Sequence, residues 1–155
     1  MTRPQPAARD QFRVFCPITT RWMDNDVYGH ANNVVYYSWF DTAVNGFLIK
    51  RGTLDIARSP CIGVVVETGC RYHSPIGFPQ RVTIGLRVAG VGTSSVRYEL
   101  AAFRDDDVVA AAEGFLVHVY VERATMRPAP IPPAARAAML AVSPMSGIAR
   151  EPDSP

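Results

Sequence analysis

The chain has 155 residues, of which 48% are hydrophobic and 19% are charged, and its formal net charge at neutral pH is +2. This length and composition fit one globular domain, and the scattered basic residues do not form the clustered surface that a nucleic-acid-binding protein needs. No apolar run reaches the roughly 18 residues of a membrane span and no apolar signal core follows the N-terminus, so we expect a cytoplasmic protein without nucleic-acid or membrane partners.

The two ends of the chain differ in composition from its middle. Residues 1–11 and 143–155 are polar and contain several prolines, which predicts a flexible tail at each end of a domain spanning residues 12–142. The cysteines are odd in number and lack the short spacing of a metal site. We therefore expect neither a disulfide framework nor a bound metal or cofactor.

The domain begins with a predicted strand followed by a predicted helix. Residues 12–22 are rich in β-branched and aromatic side chains, which favours a strand. Tyr37, Phe40 and Val44 then recur at helical intervals, and the opposite side of the same segment is also largely apolar. A helix that is apolar on nearly all sides is typical of a buried helix, and Gly52 is a suitable residue to end it.

The rest of the domain is predicted to be mostly strand. Four segments show a continuous or an alternating apolar pattern, residues 62–72, 81–91, 96–102 and 108–121. Gly114 lies inside the last of them, where an isolated glycine can mark a bulge, and residues 132–140 predict a short second helix. This order indicates an α+β domain with one antiparallel sheet around one buried helix. Its free edge could be covered by pairing two copies, so we expect at least a homodimer.

The residues directly before the predicted helix combine several polar groups in a short stretch. They supply two carboxylates, an imidazole, a glycine and two carboxamides, from Asp24, Asp26, His30, Gly29, Asn32 and Asn33. Such residues are common in turns and helix caps for local hydrogen bonding alone, and Asn32 is the expected N-cap. The same groups can also perform chemistry here, because the first turn of a helix has unpaired N–H donors and a positive dipole end.

This stretch resembles a known family signature. The motif of hotdog-fold thioesterases of the 4-hydroxybenzoyl-CoA thioesterase-like family is similar to Arg21-Trp22-Met23-Asp24-Asn25-Asp26, followed by Gly29-His30-Ala31-Asn32-Asn33 and Tyr36. The later segment Arg71-Tyr72-His73-Ser74-Pro75 and the glycine turn before Thr93 also occur in the family's order. The resemblance implies a hotdog fold, in which an antiparallel sheet wraps around one long central helix, and thioester hydrolysis as the activity.

The resemblance also implies roles for the residues of the motif. In enzymes of this type, a carboxylate at the position of Asp26 attacks the thioester carbonyl or activates water, and a backbone N–H near Asn33 hydrogen-bonds the carbonyl oxygen. His30 could orient Asp26, contact the substrate or cap the helix. Gly29 allows a tight turn and the close approach of a ligand, whereas Asp24 is expected to be structural.

Further substrate contacts are predicted outside the motif. Tyr36 and Asp41 lie on the predicted helix, where Tyr36 also suits core packing, and Asp41 would be a buried carboxylate that needs a partner or a ligand. The turn that contains Thr93, Ser94 and Ser95 offers hydroxyl and N–H groups to phosphate oxygens, although no cation adjoins it in sequence.

The predicted function is hydrolysis of an acyl-CoA, or of an acyl-acyl-carrier protein, by a homodimer or homotetramer. Two other functions remain open. In a hydratase or dehydratase of the same fold, Asp26 and His30 would share acid and base roles. In a non-catalytic acyl-CoA-binding domain, the same groups would bind the thioester without turning it over.

Overall fold

A computed structural model describes residues 2–144. Five strands form one antiparallel sheet in the order β1-β3-β4-β5-β2. The strands and the two α-helices are β1 Val14–Ile18, α1 Val35–Lys50, β2 Cys61–Tyr72, β3 Val82–Val91, β4 Ser95–Arg104, β5 Ala112–Glu122 and α2 Pro133–Ala141. The α+β prediction is therefore confirmed, and β1 and β2 are the two edges of the sheet.

The last strand begins later than its apolar pattern predicts. Val108 and Val109 are 71% and 47% exposed, and Val109 forms an isolated bridge with Ala8 instead of joining β5. The connection before them turns sharply at Asp105, which has a φ of 46°. An apolar pattern alone does not distinguish such a loop valine from a strand valine, because both favour extended backbone.

Helix α1 packs one face against the sheet. Phe40 and Val44 are fully buried, as the helical spacing predicts. The helix ends at Lys50, and Gly52 follows two residues later with a φ of 71°. The prediction of burial on nearly all sides is wrong for this chain, because Asp41 and Thr42 are exposed. Val34 directly precedes the helix, and Asn32, the expected N-cap, caps the turn before it through its side-chain oxygen, which accepts the Val34 N–H at 3.2 Å.

Gly114 does not form a bulge. It pairs in register with Cys70 of β2 and Leu100 of β4, and the sheet's two register shifts lie elsewhere, at Val66 of β2 and in β3. A Cβ atom at Gly114 would overlap the ring of Phe40 and would lie 2.7 Å from the carbonyl oxygen of Gly69. The absent side chain therefore lets α1 approach the sheet closely.

The predicted tails differ in how far the structure describes them. In the N-terminal one, residues 1–11, the Arg9 N–H donates to the Val108 carbonyl at 2.8 Å, and the Arg9 guanidinium donates to the carbonyls of Asp105 and Asp107 at 3.0 Å each. The second half of that segment thus packs on the domain. Most of the predicted C-terminal tail, residues 145–155, lies outside the described residues.

Tyr98 and His118 place unpaired polar atoms inside the core. The Tyr98 hydroxyl and His118 Nδ1 have no hydrogen-bond partner among the described residues, and the two rings meet edge to face at 5.7 Å. Burial lowers the pKa of His118, and the carboxylate of Asp41 acts more weakly in the opposite direction. The neutral imidazole is therefore favoured in the folded protein.

Replacing Tyr98 by phenylalanine is expected to raise the free energy of unfolding by about 1 kcal/mol, because the change removes a buried hydroxyl that has no partner among the described residues. Urea unfolding of both proteins measures the difference. Tyr72→Phe provides the contrast, since its hydroxyl is hydrogen-bonded to Asn33 at 2.7 Å and its loss should lower stability by about 1 kcal/mol. A Tyr98→Phe protein that is less stable than wild type would contradict this account.

Candidate active site

The acidic motif forms a small closed loop on one end of the sheet. The Asp26 N–H donates to the His30 carbonyl at 2.8 Å, and the Gly29 N–H donates to the Asp26 carbonyl at 3.1 Å. Gly29 has a φ of 81°, a left-handed conformation that favours glycine. The loop is fixed to residues 76–78, because the Ala31 N–H donates to the Ile76 carbonyl at 2.7 Å.

Asp24 anchors the chain just before this loop. Its side chain is 1% exposed and accepts two hydrogen bonds from the Arg21 guanidinium at 2.8 and 3.0 Å, and one from the Arg21 N–H at 2.8 Å. Its carbonyl accepts the Asn32 N–H at 2.8 Å. With its carboxylate oxygens occupied by these donors, Asp24 has the structural contacts that the sequence leads us to expect.

The chain enters α1 through a turn at Asn32 and Asn33. The Asn32 carbonyl accepts the Val35 N–H at 2.9 Å, and its side-chain oxygen accepts the Val34 N–H at 3.2 Å. Asn32 thus caps this turn, two residues before the N-cap of the helix. Within residues 2–144, no acceptor pairs with the backbone N–H of Asn33. An unpaired N–H group at a helix start is a donor for a negatively charged oxygen.

A cleft of about 440 Å³ opens beside the loop, and its size suits a small-molecule group. Four residues predicted for the site line it: Asp26, His30, Asn33 and Tyr36. Tyr36 is 2% exposed and packs against Trp39 and Tyr72, with ring centroids 4.9 and 5.1 Å away. It is therefore a wall of the cleft that also belongs to the core.

Asp26 presents a partly free carboxylate to the cleft. One of its oxygens, Oδ1, accepts the Tyr28 N–H at 2.8 Å, which fixes the side-chain orientation. In the described part of the chain, the other oxygen has no hydrogen-bond partner. The His30 side chain likewise has none among residues 2–144, and His30 is exposed. Both groups are thus available to a bound molecule.

The end of β2 supplies cleft residues that the motif did not indicate. Tyr72, His73 and Ser74 line the cleft together with Pro75. His73 Nε2 lies 2.6 Å from Glu113 Oε2. The available signal was a run of polar residues directly after an apolar strand, but sequence order alone does not show that this run faces residues 26–33.

Other predicted contacts lie outside the cleft of a single chain. Gly29 shapes the loop without lining the cleft. Asp41 is exposed on α1, where its Oδ1 accepts a hydrogen bond from the Asn45 side chain at 3.1 Å. Asp41 is exposed because the sheet covers only one face of the helix.

The turn with Thr93, Ser94 and Ser95 lies at the opposite end of the sheet from the cleft. Ser95 begins β4, whereas Ala102 of the same strand pairs with Ala112 at the cleft end. Seven residues of extended strand separate Ser95 from Ala102, which is roughly 23 Å. A cation that the sequence order did not reveal adjoins this turn, because the Arg136 guanidinium from α2 donates to the Gly92 and Thr93 carbonyls.

Neither a spanning helix nor a metal cluster is found in the described region. No helix within residues 2–144 is long and apolar enough to cross a membrane. Over the same residues, no three His, Cys, Asp or Glu side chains are grouped so that they could hold a metal ion.

Comparison with known proteins gives consistent matches over this fold. The model of the thioesterase-like superfamily matches residues 20–139. The crystal structure of the PA5185 protein from Pseudomonas aeruginosa strain PAO1 is 54% identical, covers 90% of this chain and 97% of that chain, and has a TM-score of 0.87. No curated protein matches the chain.

Two further structures carry thioesterase names. A thioesterase from Thermus thermophilus, solved with coenzyme A and Zn, is 32% identical, covers 84% of this chain and 95% of its own, and has a TM-score of 0.71. A thioesterase superfamily protein from Jannaschia sp. CCS1 is 28% identical, covers 81% of this chain and 80% of its own, and has a TM-score of 0.74.

The matched residues include the motif loop, all of α1 and strands β2 to β5. The single antiparallel sheet packed on one long helix is the architecture that the sequence resemblance implied. The chain therefore belongs to the thioesterase-like superfamily and is a thioester hydrolase with a hotdog fold.

Proposed function

We propose that the protein hydrolyses the thioester of an acyl-CoA, with Asp26 as nucleophile or general base and the Asn33 N–H as the donor to the thioester oxygen. One observation carries the proposal. Asp26, which has one unpaired carboxylate oxygen, and Asn33, whose N–H is unpaired among the described residues, line the same cleft. The reaction needs these two groups, one to attack or to activate water and one to stabilise the charge that forms.

The Asp26 carboxylate can act in either of two ways. As a nucleophile, its free oxygen attacks the thioester carbon, the carbon–sulfur bond breaks and the thiolate leaves, and water then hydrolyses the mixed anhydride. As a general base, it takes a proton from a water molecule that attacks the same carbon. The hydrogen bond from the Tyr28 N–H at 2.8 Å holds the carboxylate in place for both routes.

The Asn33 N–H suits the developing oxyanion because it lies at the start of α1. The positive end of the helix dipole favours negative charge there, and its effect is largest in the first turn. His30 lines the same cleft and could donate a second hydrogen bond to the substrate oxygen. This role of His30 remains a prediction.

Coenzyme A is the proposed carrier of the acyl group. The Thermus thermophilus relative was solved with coenzyme A bound, and the turn at Thr93, Ser94 and Ser95 offers hydroxyl groups next to the Arg136 guanidinium. Because this turn lies at the far end of the sheet from the cleft of its own chain, we propose that it contacts the nucleotide part of a substrate bound in the cleft of a second copy of the protein.

We propose a homodimer paired through β2 as the unit that brings the turn and the cleft together. β2 has twelve residues and exposes Val65 and Val66, whereas β1 has five and contains Pro17, which cannot donate to a neighbouring strand. Two β2 strands that pair antiparallel place the turn end of one copy beside the cleft end of the other. Light scattering that found only monomers would contradict this arrangement, and a homotetramer would require a second interface.

Thiol release from a panel of acyl-CoA substrates with aromatic, short aliphatic and medium aliphatic groups tests the proposed function. We expect turnover of at least one class, with free thiol and free acid formed in equal amounts. Measuring thiol release with the same acyl groups attached to acyl-carrier protein compares the two carriers. Hydration of an enoyl-CoA without thiol release would indicate the hydratase alternative, and tight binding without turnover would indicate a binding domain.

A further inference from the structure

Three of the four backbone polar atoms of Asn32 and Asn33 are hydrogen-bonded within the protein. The Asn32 N–H donates to the Asp24 carbonyl at 2.8 Å, the Asn32 carbonyl accepts the Val35 N–H at 2.9 Å, and the Asn33 carbonyl accepts the Tyr72 hydroxyl at 2.7 Å. The fourth atom, the Asn33 N–H, has no acceptor in the described part of the chain. The surrounding contacts thus fix the orientation of this one free donor.

Of these three hydrogen bonds, only the one from Tyr72 is donated by a side chain and joins two distant parts of the chain. It is the last residue of β2, 39 positions away from Asn33. The other contacts are local backbone hydrogen bonds within residues 24–35, and they form as part of the entry into α1. Tyr72 therefore ties the helix start to the sheet, and without it the Asn33 carbonyl would be held only through its neighbours.

The Tyr72 side chain is itself held in place. Its ring packs edge to face on the ring of Tyr36, which is 2% exposed. Burial raises the pKa of Tyr72. Because the phenol stays protonated at working pH, its hydroxyl remains a donor to the Asn33 carbonyl.

We propose that Tyr72 is a positioning residue for thioester hydrolysis. Its hydroxyl holds the Asn33 carbonyl, which is joined to the Asn33 N–H through the same Cα atom, so that rotation of this residue is limited and the free N–H stays directed into the cleft. This inference rests on the proposed role of Asn33. The oxyanion forms only as the reaction proceeds, so a displaced donor weakens transition-state binding more than ground-state binding. A residue that only packed the cleft wall would instead change substrate binding and leave kcat unchanged.

The test compares Tyr72→Phe with Tyr98→Phe, which makes the same chemical change at a buried tyrosine outside the cleft. We expect Tyr72→Phe to lower kcat about tenfold with KM within about twofold of wild type, because a supporting hydrogen bond contributes less than an oxyanion donor itself. Tyr98→Phe should leave both constants within about twofold. An unchanged kcat in Tyr72→Phe, or a change in KM alone, would overturn the inference.

Backbone amide resonances of ¹⁵N-labelled protein provide a readout that does not depend on activity. Tyr72→Phe should shift the Asn33 and Val34 amide signals, because the Asn33 carbonyl and the Val34 N–H belong to one peptide group, and Tyr98→Phe should not. Unmoved signals would overturn the inference even if kcat fell. Failure of the proposed function gives a different result: wild-type protein then releases no thiol and does not differ from Asp26→Asn. In that case the positioning role of Tyr72 is also wrong.

Discussion

Replacing Asp26 by asparagine is expected to lower kcat for thioester hydrolysis by roughly 10² to 10⁴-fold, which corresponds to about 3 to 5 kcal/mol of transition-state stabilisation. Asparagine keeps the shape of the side chain, and its carbonyl oxygen can still accept the Tyr28 N–H that now binds the carboxylate at 2.8 Å. It can neither attack the thioester nor take a proton from water. Steady-state thiol release with the best substrate of the panel measures the change.

The matched control is Asp106→Asn. The Asp106 side chain is 92% exposed, and within residues 2–144 its one ion pair is a surface contact with Arg81 at 3.3 Å. Its loss should therefore change neither kcat nor stability measurably. Binding of the substrate to Asp26→Asn should persist, because Asn33 and the cleft walls are intact. If Asp26→Asn turned over substrate as fast as the control, Asp26 would be neither nucleophile nor general base.

Replacing Gly114 by alanine is expected to lower the free energy of unfolding by about 1 to 3 kcal/mol, the usual cost of overpacking a tight core. The new Cβ would overlap the fully buried ring of Phe40 and meet the Gly69 carbonyl oxygen at 2.7 Å. Neither neighbour can move freely, because the Phe40 ring is held by helix α1 and the Gly69 oxygen belongs to the backbone of β2. Urea unfolding of the intact protein measures the loss.

Gly46→Ala is the matched control for this change. Gly46 lies in α1, and no atom of another described element lies within 4 Å of the position of its Cβ. Alanine there should raise the free energy of unfolding by about 0.5 to 1 kcal/mol, because it lowers the conformational entropy of the unfolded chain and favours helix. If the two substitutions had the same effect, the close approach of α1 to β5 would not be the reason for glycine at position 114.

Local patterns in the sequence predicted the elements of the fold and several residues of the candidate site. Alternation of apolar and polar side chains placed β3 and β4 within about two residues of their observed bounds, because period-two burial is a property of the strand itself. Helical spacing identified Phe40 and Val44 as inward-facing, and Gly52 marked the end of α1. The motif that resembles the thioesterase signature contains Asp26, His30 and Asn33, and these three residues line one cleft.

The incorrect predictions concern features that no local pattern encodes. The isolated Gly114 suggested a bulge, but its role depends on Phe40, which lies on another element. Asp41 was expected to be buried, although the sheet covers only one face of α1 and leaves it exposed. In both cases the residue type drew attention to the position. Its role, however, depends on an element that is distant in the sequence.

The sequence by itself determined the α+β class, the position of the long helix, the acidic motif before it and the family to which they point. Only the tertiary structure decided that Tyr72 meets the Asn33 carbonyl at 2.7 Å, that Asn33 keeps a free N–H, and that Thr93 to Ser95 lie at the far end of the sheet. The physical reason is that periodicity and capping act within a few residues, whereas these contacts depend on how the sheet closes around α1 and join residues far apart in the chain.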